Sequence, residues 1–382
     1  MWKELKGHHV GRWNCSMVES MVSKIARNVV NQSLRIREDD VVHITTSEDT
    51  VDLAEEVAIE CRKAGAETTT AYASESVWYW SLQNLPLEWL RGPSKLDLAT
   101  LDVVTAFIGL NAIADPRPMA RISPERWAAN FEGANHYYQK FLARKVRSAT
   151  VTVGVVTRQR ASSYGFAFPA WKRAVEGALK ADYSRISGTG RKLRGLLDGT
   201  SHDVHVTSGS GTDLKFRLAS RKCAIDDGIV DDEDLAAGAF QTTLPAGNVF
   251  VAPDEKSANG TVVFDLPVPQ RGKLIRGLSW TFENGQVTKF TAAKNGDMII
   301  PIWEQSSGDK SRFGAFGLGI NHAAKPGYLD STIVHGAVTL GIGGNKVLGG
   351  ANESTFGFQG TLLKSTVTID GRRVVSEGEL LV

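Results

Sequence analysis

Several features are scarce in this sequence, and each scarcity excludes a class of protein. The 382 residues include only 3 cysteines, which are far apart and lack CxxC spacing. This usage is typical of reduced thiols and argues against a disulfide framework or a structural zinc site. No stretch approaches the ~18 apolar residues of a membrane span, and the opening MWKELKGHHVGRWN lacks the apolar run of a signal peptide. We therefore expect a cytoplasmic protein without a membrane partner.

An excess of charge of either sign is also missing. Lys and Arg number 44 against 42 Asp and Glu, which gives a net charge of +2, and no segment concentrates basic residues. This balance argues against nucleic acid as a partner. The hydrophobic fraction of 42% is ordinary for a globular protein, and 382 residues exceed what one core usually organises. Two domains are expected.

The first half alternates strands with helices. Apolar residues from Ser16 to about Leu34 recur at helical spacing, and Val41–Thr45 then forms a short strand. Ser47 is placed to cap the next helix, which runs to Lys63 and ends at a glycine. The alternation continues through a strand at 67–73, a strand at 103–110, a long helix from 123 to 146 and a strand at 150–156. This order predicts an α/β domain with a mainly parallel sheet.

The composition changes near residue 199. Helical segments are predicted at Trp171–Ile186 and Arg191–Leu197, and short strands between glycine-containing turns follow them. ENGQ and IDGR are hairpin turn sequences. We predict an α/β domain over 1–198 and a β-rich α+β domain over 199–382, with a ligand cleft at their junction.

Local motifs carry little chemistry by themselves. His202 and His205 are three residues apart on a predicted strand and so face opposite sides, which favours a solvated strand over a metal site. The acidic stretch 226–238 lacks the ligand pattern of an EF-hand and is interpreted as a solvated loop. SGTGRKL and GIGGNKVLGG have neither Walker nor dinucleotide-binding spacing, and no GxSxG elbow occurs.

Five phrases in the second half are informative as an ordered set. They are HDVHVTSGSGTDLKFRLASR, LPAGNVFVAPDEKSANGTVVFD, SRFGAFGLGIN, GAVTLGIGGNKVLGGANES and VTIDGRRVVSEGEL. In order and spacing they resemble the aminopeptidase T and aminopeptidase S family of metallo-exopeptidases, and the first half is compatible with the same family. The resemblance implies a two-domain subunit, usually dimeric, whose cleft holds two divalent metal ions that activate water.

The metal-ligand positions that the resemblance implies are all occupied by other residue types. The family's first glutamate, after the Pro-Gly turn, corresponds to Asn248, and its second corresponds to Ala315. The first histidine corresponds to Thr339, and the closing His-x-Asp pair corresponds to Gly357 and Gln359. Divalent cations need carboxylates and imidazoles to offset their dehydration. We therefore expect no metal ion, no other cofactor and no ordinary two-metal aminopeptidase activity.

The replacements indicate a different use of the cleft. Asn248, Thr339 and Gln359 can donate and accept hydrogen bonds, so we predict that they contact a small organic or short peptide ligand. Arg312 and Glu353, in the neighbouring phrases, are further candidate contacts. The alternative is that Asn248 only completes its turn and Gln359 is only solvated.

Other residues could supply acid–base chemistry. His322, His335 and Asp330 lie near these phrases, and a histidine with a carboxylate partner suffices for proton transfer near neutral pH. The leading prediction is an enzyme with metal-free, hydrolytic-type chemistry on a small substrate, as a homodimer. One alternative is a non-catalytic relative that binds peptides or a partner. Another is a hydrolase or oxygenase with one relocated metal ion; the dihydroxypyridine dioxygenase of this fold uses iron, but its closing His-x-Asp is Gly357-x-Gln359 here.

Overall fold

The computed structural model describes residues 20–199 and 201–382. Cys15, His8, His9 and the first residues of the predicted N-terminal helix lie outside these ranges. The helices are α1 (Met21–Arg27), α2 (Val51–Lys63), α3 (Glu75–Asn84), α4 (Leu87–Arg91), α5 (Lys95–Thr100), α6 (Pro124–Ala143), α7 (Arg158–Tyr164), α8 (Phe168–Leu179), α9 (Tyr183–Leu197), α10 (Asp232–Ala237) and α11 (Ile300–Gln305). A π-helical segment, Asn28–Ser33, continues α1. Each helix in the described ranges is too short or too polar to cross a bilayer.

In the described ranges, four strands precede residue 199 and sixteen follow it. Those before residue 199 are β1 (Val41–Thr46), β2 (Glu67–Tyr72), β3 (Ala106–Gly109) and β4 (Arg147–Val151). Those after it are β5 (His202–Ser208), β6 (Asp213–Leu218), β7 (Ala224–Asp226), β8 (Gln241–Leu244), β9 (Asn248–Val251), β10 (Asn259–Val263), β11 (Val268–Gln270), β12 (Lys273–Ile275), β13 (Ser279–Glu283), β14 (Gln286–Thr291), β15 (Phe313–Gly319), β16 (Val338–Gly343), β17 (Gly357–Leu362), β18 (Ser365–Ile369), β19 (Arg372–Ser376) and β20 (Glu379–Leu380).

The four strands of the first half, together with β8, form a parallel sheet in the order β2-β1-β3-β4-β8. Buried and half-exposed residues alternate along β1, with Val42 and Ile44 in the core, as the sequence pattern predicts. Ser47 and Thr50 form a capping box before α2. β8, at 241–244, pairs in parallel with β4, so a strand from beyond the predicted boundary at 198 completes this sheet.

Two predicted elements were wrong in detail. The segment Trp171–Ile186 is not one helix, because Asp182 starts α9 by accepting a hydrogen bond from the Arg185 amide at 3.2 Å. The predicted strand 150–156 ends at Val151 and becomes a 3₁₀ turn. In that turn a Cβ on Gly154 would lie 2.3 Å from the Leu110 carbonyl oxygen, so the chain needs glycine there.

The second half packs two antiparallel sheets. The larger has the order β14-β13-β10-β6-β5-β18-β19-β20 and the smaller has the order β17-β16-β15-β9-β7. Trp280, Phe282, Phe313 and Phe316 are buried between them. ENGQ and IDGR form hairpin turns as predicted. The acidic stretch is not simply a loop, because Asp231 caps α10 through a capping box with Asp234.

Candidate functional site

One face of the smaller sheet gathers the five positions that the resemblance assigns to metal ligands. Ala315 lies opposite Gly341 on β16, and Gly341 lies opposite Gln359 on β17. A Cβ added to Gly341 would lie 3.1 Å from the Ala315 Cβ and 3.7 Å from the Gln359 Cβ, so all three positions face the same way. Residues directly opposite each other in antiparallel strands share a face.

The same register places the remaining positions on this face. Asn248 lies opposite Gly319 on β15, four residues along from Ala315. Thr339 lies opposite Gly317, and Gly357 lies opposite Gly343. Side chains alternate along a strand, so residues an even number of positions apart lie on the same face. Each of these pairs is two or four positions from the row Ala315, Gly341, Gln359, and so lies on its face. The sheet therefore brings the five positions together.

A cavity of about 630 Å³ lies against this face. Asn248, Ala315 and Gln359 line its floor. Its walls come from the segments 266–270 and 328–332 and from the loop that carries Val347 and Leu348. A volume of this size is ordinary for a small-molecule site.

Thr339 lies on the same face but is covered, and it does not line the cavity. Its residue is fully buried, and its hydroxyl shares a hydrogen bond of 3.2 Å with the hydroxyl of Thr361. Thr361 does line the cavity. A hydroxyl is therefore available to a ligand at this part of the sheet, but it belongs to Thr361 and not to Thr339.

The described lining of this cavity holds no carboxylate, imidazole, thiol, ammonium or guanidinium group. Its polar side chains are amides, hydroxyls and one phenol, those of Asn248, Gln270, Gln359, Ser331, Thr332, Thr361 and Tyr328. Amide and hydroxyl oxygens supply no negative charge, so this donor set does not fit a pair of divalent ions. Across residues 20–199 and 201–382, no three His, Cys, Asp or Glu side chains are grouped so as to hold a metal ion.

Two carboxyl groups lie near Asn248 but do not line the cavity. The Thr332 hydroxyl donates to Asp330 Oδ1 at 2.6 Å, and Asn248 Nδ2 donates to that hydroxyl at 3.5 Å. Neighbouring atoms crowd the Asp330 carboxyl, and this desolvation raises its pKa. Asp226 lies directly opposite Asn248 on β7. Burial, reinforced by the charges of Asp227 and Asp330, raises the pKa of Asp226 to about 7 despite a hydrogen bond from Thr242.

The structure separates the other predicted site residues from this cavity. His322 and His335 line a second cavity, of about 360 Å³. Arg312 donates to the Asn284 carbonyl oxygen at 3.2 Å, and Glu353 pairs with Lys346 at 3.0 Å. A role for the two histidines in proton transfer stays a prediction, but they do not share a cavity with Asn248 and Gln359.

Several lining residues were not identified from the sequence. Phe250 and Thr361 each lie two residues beyond a predicted contact on the same strand, and strand alternation could have found them. A Cβ on Gly317 would lie 2.5 Å from the Phe250 ring, so the ring covers that glycine on the cavity side. Tyr328 and Thr332 belong to a loop, whose path has no periodic signal in the sequence.

Comparisons with known proteins place these features in a wider group. The sequence model of the family described as thermophilic metalloprotease (M29) matches residues 18–324. Aminopeptidase AmpS of Bacillus subtilis is 28% identical over 98 residues, which cover 26% of this chain and 23% of the relative. Aminopeptidase PepS of Streptococcus thermophilus is 30% identical over 101 residues, which cover 26% and 24%. The match thus spans about a quarter of each of these curated relatives.

Solved structures show the same fold. Wild-type AmpT from Thermus thermophilus aligns with a TM-score of 0.71 and 17% identity over 95% of this chain and 99% of that chain. The 2,5-dihydroxypyridine dioxygenase from Pseudomonas putida aligns with a TM-score of 0.58 and 13% identity over 96% and 99%. The predicted aminopeptidase T-like fold is confirmed. The family match ends at residue 324, before Thr339, Gly357 and Gln359.

Proposed function

This chain belongs to the thermophilic metalloprotease (M29) family, and from that premise we propose that its cleft binds an uncharged small organic molecule or short peptide without the paired metal ions of the aminopeptidases. The single observation that supports this is the absence of ionised side chains from the described lining of the 630 Å³ cavity. An unpaired charge taken from water into such a site costs several kcal/mol even after relaxation. The lining therefore disfavours divalent cations and charged ligand groups alike.

The lining also defines the chemistry of the ligand. Phe250, Tyr328 and Phe358 offer aromatic surface, while Asn248 and Gln359 offer amide groups. Gln359 is an exposed residue on the cavity floor, so its amide is accessible to a ligand. A ligand with a flat apolar part and an amide-like edge would satisfy both kinds of surface.

Asp330 is the carboxyl group with a hydrogen-bonded route to this cavity, and we assign the acid–base role to it. The Thr332 hydroxyl lies between Asp330 and Asn248, at 2.6 Å and 3.5 Å. Desolvation raises the pKa of Asp330, which makes this carboxylate a stronger proton acceptor than an ordinary one. The reaction class in this proposal is hydrolysis of a small neutral substrate. Water attacks the substrate and gives a proton to the Thr332 hydroxyl, which passes its own proton to Asp330. Asp330 then returns a proton by the same route to the leaving group as the substrate bond breaks.

A matched pair of ligands tests the proposal. The purified full-length protein is titrated with N-acetylphenylalanine amide, which is uncharged, and with phenylalanine amide, which carries the N-terminal ammonium that an aminopeptidase requires. The acetylated compound should bind at least tenfold more tightly, because the cavity offers the ammonium no counter-charge. Asn248→Ala and Gln359→Ala should each weaken that binding about tenfold, the effect of about one lost hydrogen bond, whereas Gln139→Ala on exposed α6 should not.

Metal content separates this proposal from ordinary family chemistry. Elemental analysis of protein purified without chelator should give far less than one zinc, cobalt, manganese or iron per chain. Two metal ions per chain, together with a preference for phenylalanine amide, would overturn the proposal. Turnover of the acetylated compound that survives Asp330→Asn would instead overturn the role given to Asp330.

A second candidate function is binding of a second copy of the chain. Val77 and Trp80 on α3, Trp89 on α4 and Phe131 on α6 are 58–68% exposed, and α6 packs against both other helices. Apolar side chains grouped at a surface mark protein interfaces. Sedimentation of the wild type should give a dimer mass and that of Trp80→Ser/Trp89→Ser a monomer mass; a monomeric wild type would remove this candidate.

A further inference from the structure

The second cavity, of about 360 Å³, is built around one face of α9. Arg185, Thr189 and Lys192 line it from the helix, and their spacing of four and three residues places them in one row. His322 and His335 line it from the opposite side. Two independent parts of the fold thus direct basic side chains into the same concave space.

The charges of this cavity are unbalanced. Its described lining contains Arg185, Lys192 and the two histidines but no aspartate or glutamate side chain. Within the described part of the chain, no carboxylate lies within 4 Å of the charged groups of Arg185 or Lys192, whereas Arg191 and Arg194 of the same helix pair with Asp231 and Glu233. Val382 also lines the cavity, with an apolar side chain that adds no charge.

The free cavity carries an electrostatic cost. Burial, followed by the charge of Arg185, lowers the pKa of His322, and burial with His322 and Arg185 lowers the pKa of His335. Asp182, at the start of α9, and Glu379, on β20, act in the opposite direction but do not reverse the shifts. Burial and the nearby cations thus act in the same direction on the pKa of both imidazoles. A bound anion would relieve this repulsion.

We propose that this cavity binds the phosphate group of a small phosphorylated molecule. Arginine presents parallel N–H donors to phosphate oxygens, lysine adds a point charge, and the imidazoles add two further donors. The volume of about 360 Å³ exceeds that of a phosphate ion several-fold, so the group enters with an organic substituent attached. The site is separate from the neutral cavity over the sheet, and the proposal does not depend on the function assigned to that cavity.

Anion binding at this site takes up protons. A dianion beside His322 and His335 raises their pKa values, so anion binding favours uptake of a proton by each imidazole. Affinity for an anion whose own charge is constant therefore increases as the pH falls from 8 to 6. Sulfate serves as that anion, because it stays doubly charged throughout this range.

Calorimetric titration of the full chain at low ionic strength tests the proposal. The probes are glycerol 3-phosphate, inorganic phosphate and sulfate, with chloride as the background anion. We expect saturable 1:1 binding, tightest for glycerol 3-phosphate, with a Kd at least tenfold higher in Arg185→Gln and in Lys192→Gln. Arg191→Gln removes the same charge from the same helix beside the cavity, and its Kd should stay within twofold of the wild type. His335→Gln should flatten the increase in sulfate affinity between pH 8 and pH 6.

Three results would overturn specific anion binding in this cavity. One is the absence of saturable binding of any probe at millimolar concentration. Another is an equal loss of affinity in Arg191→Gln and Lys192→Gln, which indicates diffuse attraction to a basic surface. The last is weakening in Arg185→Gln accompanied by a lower thermal midpoint in both Arg185→Gln and Lys192→Gln, which indicates lost folding. If inorganic phosphate binds as tightly as glycerol 3-phosphate, the ligand is the free ion. That result would overturn the claim that the ligand is a phosphorylated molecule.

Discussion

Replacement of Glu255 by glutamine tests how the wall of the neutral cavity is held. Glu255 is 8% exposed, and its carboxylate accepts hydrogen bonds from Arg221 at 2.8 and 3.0 Å, from Asn345 at 3.1 Å and from the Ala351 amide at 2.7 Å. Asn345 also donates to the Gly314 carbonyl oxygen at 3.1 Å. These bonds fix both ends of the loop that places Val347 and Leu348 in the cavity wall. Glu255→Gln keeps the shape and removes the charge.

The magnitude follows from the pKa of Glu255. Burial acts to raise this pKa, but the Arg221 pair and the hydrogen bonds from Ala351 and Asn345 outweigh burial and lower it from 4.5 to about 2. One pKa unit corresponds to about 1.4 kcal/mol, so the ionised group contributes about 3 kcal/mol to the free energy of unfolding. Because the folded pKa is the lower one, this contribution is complete above pH 4.5 and is lost as the pH falls towards 2.

Urea unfolding at pH 7 and at pH 3.5 measures the effect. Glu255→Gln should lower the free energy of unfolding by about 3 kcal/mol at pH 7 and by clearly less at pH 3.5. Glu353→Gln is the control, because Glu353 lies at the end of the same loop and its pair with Lys346 is exposed on both sides; about 0.5 kcal/mol or less is expected. Equal losses in the two variants, or a Glu255→Gln loss that does not change with pH, would refute this reasoning.

Two further predictions concern buried groups and turns. Burial raises the pKa of Asp226 from 3.8 to about 7. Because the folded pKa is the higher one, this group should reduce the stability of the wild type as the pH rises from 4 to 8. In urea unfolding, Asp226→Asn should therefore be more stable than the wild type at pH 8 but not at pH 4. Gly285→Ala should lower the thermal midpoint far more than Gly371→Ala. Both glycines have positive φ in hairpin turns. A Cβ on Gly285 would lie 1.9 Å from the Glu255 carbonyl oxygen, whereas a Cβ on Gly371 would meet nothing within 4 Å. Similar midpoints for the two alanine variants would contradict the steric argument.

The fold was predictable where a residue's neighbours in sequence are also its neighbours in space. The alternation in β1 and the ENGQ turn are local signals, and Asn284 and Gly285 adopt the positive φ that such a turn requires. The pairing of β8 with β4 was not predictable, because it joins Gln241 to Ser148 across a long separation and no periodicity encodes it. The break between α8 and α9 depends on one capping residue, Asp182, within a continuous helical pattern.

The candidate site was predictable in its floor and not in its walls. The resemblance identified Asn248, Ala315 and Gln359, and strand register then places them on one face. The walls come from loops whose paths depend on tertiary contacts such as the Glu255 network. Closeness in sequence is weak evidence of a shared cavity: His322 and Gly319 are three residues apart, yet the chain leaves the sheet at Gly319 and carries His322 towards α9.

The five replacements make physical sense as a group. Carboxylates on neighbouring strands repel one another, and like charges directly opposite each other destabilise a sheet unless a cation lies between them. If only Ala315 had replaced a ligand, the two remaining acids, at positions 248 and 359, would leave negative charge on this face without a cation to balance it. Here the row Ala315, Gly341, Gln359 is neutral throughout, so the sheet face needs no ion for its stability. The proposed loss of the metal pair is therefore compatible with retention of the fold, and a neutral floor of this kind would favour ligands that carry no charge.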